Sequence, residues 1–136
     1  MLEVRATRPY RTAADVEAIF QEIGAALASV PTNVRVVAVT DWRYCPLMSA
    51  EASELARARM AGNNARVERS AALASRESEV AVLQFLRLIR ESGHPNRKLF
   101  FEADELISWL SEVLTPPEQQ RLQDFLAEAP QRSALR

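Results

Sequence analysis

Along the 136 residues of the chain, the spacing of apolar positions changes several times, and each change predicts an element. Residues 2 to 10 alternate, with Leu2, Val4 and Ala6 set against Glu3, Arg5 and Thr7, the pattern of a half-exposed edge strand that ends near Pro9. Thr12 followed by Asp15 forms a variant capping box. Val16, Ile19, Phe20, Ile23 and Leu27 then share one face at the helical period, and Pro31 with Asn33 stops that helix. Residues 33 to 40, NVRVVAVT, are a near-continuous β-branched run, which predicts a parallel strand covered on both faces.

After an aromatic, polar loop, Ser49 is placed to cap a helix whose inward positions are small or slender, Ala52, Leu55, Ala56 and Met60. Gly62 and Asn63 supply its stop. Residues 67 to 74 predict a third strand despite their alanines, and Ser75 is the predicted cap of the next helix. In that helix Val80, Leu83, Leu86 and Leu88, with Val82, Phe85 and Ile89, occupy most of the circumference, which predicts substantial burial. Residues 92 to 95, SGHP, break it. Residues 97 to 101 predict a short fourth strand, and residues 102 to 114 an amphipathic helix through Leu106, Trp109, Leu110 and Val113. The sharpest local signal is Thr115-Pro116-Pro117-Glu118, a Thr cap with Pro at the first helical position and a capping-box Glu. It opens a last helix that buries Leu122, Phe125 and Leu126, followed by a frayed tail from residue 130.

The order β-α-β-α-β-α-β-α-α predicts one α/β domain over residues 1 to 129. Its sheet is mostly parallel, with four or five strands, helices packed on it and an extra C-terminal helix. Composition does not disturb this picture, because 48% hydrophobic and 26% charged residues are ordinary globular values. A net charge of −1 argues against a nucleic-acid or anionic-membrane partner. Lys98 is the only lysine; with so much alanine, the arginine preference reads as coding bias rather than phosphate recognition. No stretch approaches the roughly 20 apolar residues of a membrane span. The lone Cys45 cannot close an intramolecular disulfide and the first residues are charged, so a cytoplasmic location is expected.

In a parallel sheet, ligands gather at the carboxyl rim of the strands. That rim would carry Asp41, Trp42 and Tyr44 after the second strand, Ser75, Arg76 and Glu77 after the third and Glu102 after the fourth. Helix N-termini at Ser49 and Ser75 would point amides the same way, where an anion can bind. Structural roles compete at each position. Ser49 and Ser75 read first as caps, Asp41 as an acceptor for its own loop, Cys45 as a packed residue, and Trp42 as a lid on the core in preference to an exposed anchor. The only histidine, His94, lies in a turn at the other rim, so no Ser-His-Asp arrangement is expected. Neither a metal site nor a phosphate-binding glycine loop is readable, and no cofactor is predicted.

The strand VVAVTD ending at Asp41, the Met48-Ser49 helix start, and the closing pattern LFFEADELISWL together resemble the STAS domain, the sulphate-transporter and anti-sigma-factor-antagonist fold. More narrowly they are similar to its bacterial antagonist-like branch. The resemblance covers about residues 12 to 114. It implies a regulatory binding module whose loop and helix start dock on a partner protein. In partner-switching members this loop ends in Asp-Ser-Ser, with a phosphorylated serine. The matching positions hold Ser49, Ala50 and Glu51, so the resemblance implies a binding surface without the phosphoserine switch.

The expectation is therefore a non-enzymatic protein-interaction module. Its surface comprises Asp41, Trp42, Arg43, Tyr44, Ser49, Glu51, Ser75 and Arg76, and its partner is not identifiable from sequence. The alternative is a binder of an anion or lipid at the carboxyl rim. A homo-oligomer is compatible with both, because the first strand leaves a sheet edge to cover.

Overall fold

The computed structural model describes residues 1–5 and 11–128. The continuation of the first predicted strand past residue 5 and the predicted frayed tail lie outside the described residues. Four strands, β1 (Leu2–Arg5), β2 (Val36–Asp41), β3 (Val67–Leu73) and β4 (Arg97–Phe100), alternate with α1 (Ala13–Ala28), α2 (Ala50–Gly62) and α3 (Glu79–Glu91). Then α4 (Ala103–Ser111) and α5 (Pro116–Ala127) close the domain. A single 3₁₀ turn, Asn64–Arg66, joins α2 to β3. The sheet is all parallel, in the order β1-β2-β3-β4.

That order dictates the layers. Parallel crossovers are right-handed, so successive crossovers stepping the same way across the sheet place their helices on the same face. Accordingly α1, α2 and α3 pack side by side on one face, where Val16, Ala52, Ala56, Phe85 and Leu88 meet Ala72 and Ala74 of β3 and its exit. On the other face α4 and α5 bring Leu106, Leu110, Leu122 and Phe125 against Val37, Val39 and Leu73. β2 is buried on both faces, as its β-branched run predicts, although it begins at Val36 and residues 33 to 35 lead into it exposed.

The capping chemistry is as predicted at three helix starts. Thr12 and Asp15 exchange a reciprocal capping box, Ser49 accepts from the Ala52 amide at 3.1 Å, and Thr115 with Glu118 does the same for α5. Gly93, at φ +79°, takes the left-handed position that ends α3.

Two expectations for the third helix fail. Ser75 does not cap it. Its hydroxyl accepts from the Glu77 amide in a short turn, and Ser78 caps α3 by accepting from Ala81. Both serines offer the same cap chemistry, and only the distance the chain must travel from β3 selects the second. Nor is α3 buried most of the way round. Ala81, Phe85 and Leu88 form the buried stripe, while Val80 is 62% and Leu83 67% exposed, and Leu86 is also exposed. Val80 and Leu83 stand on the side of α3 toward α2, along an open groove that no further element covers among the described residues.

The edge strand β1 is tied to α5 by ion pairs, Glu3 with Arg121 at 2.7 Å and the Met1 ammonium with Glu118 at 3.3 Å. The Thr115 amide and hydroxyl, and then the ammonium, hold the Glu118 carboxyl below its ordinary value of 4.5. A depressed carboxyl stabilises the fold above its unfolded pKa, and that contribution is lost as pH falls through the folded value. Glu118→Gln is therefore expected to cost about 0.3–1 kcal/mol at neutral pH, the usual worth of a charge at a helix N-terminus. In thermal unfolding the gap from the wild type should narrow as the pH is lowered past 4.5.

Candidate docking surface at the carboxyl rim of the sheet

Asp41 ends β2 and is 2% exposed. A carboxylate so placed must be neutralised or fully hydrogen-bonded, and Arg43, two residues on, does both. Its backbone amide (3.1 Å) and Nε (3.0 Å) donate to Oδ1, and Nη2 donates to Oδ2 at 2.8 Å. Nη2 also donates to the Leu126 carbonyl at 3.0 Å, fastening the last turn of α5 to this loop. The hydrogen-bonded carboxylate raises the guanidinium pKa against the opposing effect of burial. Asp41 is thus an internal staple and presents no free base.

Trp42 is the lid on the core. It is 6% exposed, its backbone amide extends the sheet ladder to the Leu73 carbonyl at 2.8 Å, and its ring stacks on Phe85 with centroids 4.8 Å apart. Cys45 is packed beside it in the same cluster. With Asp41 and Trp42 withdrawn and Arg43 engaged, Tyr44 and Leu47 remain as the exposed large side chains of the loop.

A residue that sequence reasoning passed over sets the position of this loop. Gln84 of α3 accepts from the Met48 amide at 2.8 Å and donates to the Met48 carbonyl at 2.9 Å, a two-bond clamp from helix to loop. The only sequence signal for it is a polar residue within an apolar helix. Beyond the clamp, Ser49 caps α2, Ala50 lines the groove between α2 and α3, and Glu51 is exposed on the first turn. Arg76 lies exposed with its guanidinium 4.0 Å from the centre of the Phe101 ring, and Ser75 closes its own turn.

Two concave features result. A cleft of about 630 Å³ separates the β2–α2 loop from the β3–α3 loop, walled by Tyr44, Pro46, Ser75 and Phe85 among others. It is not the crevice of a doubly wound sheet, because the strand order never reverses and the loops do not splay to opposite faces. Both nearby helix N-termini carry a glutamate, Glu51 and Glu79, in the first turn. These acids already answer the helix dipoles, which makes the cleft a poor anion site.

The second is a groove of about 490 Å³ between α2 and α3, lined by Leu47, Met48, Val80 and Leu83. Its rim holds charge pairs made within each helix, Arg57 with Glu54 and Arg87 with Glu91. An apolar centre inside a polar, already satisfied rim has the anatomy of a protein interface.

Ser49, Ser75 and Ser78 beside these features are occupied structurally, and so is the histidine at the opposite rim. His94 donates from Nε2 to the Val67 carbonyl at 2.7 Å, because its Nδ1 accepts from the Asn96 amide at 2.9 Å. Among the described residues no three His, Cys, Asp or Glu side chains are grouped to hold a metal, and no helix is long and apolar enough to cross a membrane. No family model, curated protein or solved structure matches the chain.

Proposed function

We propose that this chain is a non-enzymatic protein-interaction module of STAS-like type, acting as a regulatory domain in the bacterial cytoplasm without a phosphoserine switch. The observation that carries the reading is the set of exposed apolar side chains, Leu47, Val80 and Leu83, gathered on one groove rather than scattered. An exposed cluster of this kind has a cost in solubility that a docking partner explains. The reading moves the working surface from Asp41 and Trp42 to Tyr44, Leu47 and the side of α3 that faces α2. Of Ser49, Ala50 and Glu51, the positions that the STAS resemblance aligns with the switch, Ala50 lines this groove.

Leu83→Glu tests the reading, since a substitution at so exposed a site changes folding by no more than about 0.5 kcal/mol. A protein recovered stoichiometrically with the wild type, or a self-association seen by sedimentation, should weaken at least tenfold in the variant. It should be unchanged in Glu22→Ala on the remote face of α1. Equal recovery with both variants, and no change in sedimentation, would remove this surface from the function.

A further inference from the structure

The sheet face under α1, α2 and α3 is unevenly filled. Register places Leu2, Ala38, Ser70 and Arg97 in one row across the strands, and Val4, Thr40, Ala72 and Leu99 in the next. The two central strands thus offer only small side chains, between larger ones at both edges. A cavity of about 70 Å³ lies over them, roofed by Phe20, Ile23 and Leu27 of α1 with Met60 of α2 and Ile89 of α3.

At the amino end of this cavity stands Arg97, 7% exposed. Its Nη1 donates to Asn64 Oδ1 at 2.7 Å and to Ser92 Oγ at 2.9 Å, both neutral acceptors, and among the described residues no carboxylate pairs with it. A buried guanidinium without an anion is costly, and burial alone pushes its pKa down to about 10. Trp42, which also lines the cavity, has an indole N–H with no acceptor among the described residues. The uncompensated cation of Arg97 and the unpartnered N–H of Trp42 are both donors, so the cavity calls for a ligand that accepts.

We propose that this cavity binds a small aliphatic monocarboxylate, with its carboxylate on Arg97 and its alkyl part over Ala38, Ser70 and Ala72 beneath α1. A guanidinium and a carboxylate match in charge and fork geometry. A single cationic side chain in a mostly apolar lining suits a monoanion, and would leave half of a phosphate dianion uncompensated. The small volume, about 70 Å³, confines the ligand to the shortest chains. This site is separate from the α2–α3 groove and does not depend on the docking reading.

Propionate is the probe, with propionamide as its neutral isostere and sodium chloride at equal ionic strength as the control. Propionate is expected to raise Tm saturably and to shift the methyl NMR signals of Ala72 and Ile89, with propionamide and chloride doing neither. Ala38→Val, which fills the cavity from a strand position, and Arg97→Gln should each weaken the response at least tenfold. Equal effects of propionate and propionamide, an effect matched by chloride, or a full response in Ala38→Val would overturn the proposal. Should Arg97→Gln fail to fold, the isostere pair and Ala38→Val still decide.

Discussion

Arg43→Ala is expected to lower folding stability by about 3–5 kcal/mol, read as a fall in the urea midpoint, because it strands a buried charge. Asp41 lies at 2% exposure and takes three of its hydrogen bonds from Arg43. Alanine retains only the backbone amide among them. The loss also frees the Leu126 carbonyl and so loosens α5 at the loop. Most of the cost belongs to the orphaned carboxylate rather than to the pair, which a second variant separates. Combining Arg43→Ala with Asp41→Asn removes the charge while keeping an acceptor for that amide, and should recover much of the loss. A cost below about 1 kcal/mol for Arg43→Ala alone would mean that water reaches Asp41 and that the staple is not structural.

Phe85→Ala is expected to cost about 3–5 kcal/mol, the range for deleting a buried aromatic side chain. Phe85 is 2% exposed and is the stacking partner of Trp42. Its removal opens a void between α3 and the lid of the core, so unfolding should begin at lower denaturant and Trp42 fluorescence should move to the red. Phe85→Leu keeps most of the volume and should cost under about 1.5 kcal/mol. Because Phe85 anchors α3 to the core and also walls the rim cleft, the same substitution should loosen the helix that carries Val80 and Leu83. Unchanged fluorescence in Phe85→Ala would show that Trp42 is held by its backbone bond to Leu73 and by its other neighbours alone.

The candidate surface was only partly legible in the residue pattern. Tyr44 and the Ser49 cap stand where local chemistry puts them, since a serine before a helix start satisfies an amide whatever surrounds it. Asp41 accepting its own loop's amides was also readable, because Arg43 is close enough in the chain to reach it. The groove was not. Leu47, Val80 and Leu83 are indistinguishable in sequence from core residues, and Gln84 earns its place only through a loop 36 residues away. Likewise nothing local marks Arg97 as buried, since its acceptors come from the 3₁₀ turn and the end of α3.

The residue pattern was enough for the alternation of strands and helices, the parallel character of the sheet and the caps of α1, α2 and α5. These depend on side-chain period, β-branching and hydrogen bonds spanning three or four residues. Only the assembled fold settled that three helices share one face, that Val80 and Leu83 of α3 stay uncovered in the groove beside α2, that Ser78 rather than Ser75 caps that helix, and that small residues of β2 and β3 align under a cavity beside Arg97. The physical reason is common to all four. A side chain's burial depends on what packs beyond its own element, and strand order and register, which set that neighbour, are properties of the assembled sheet.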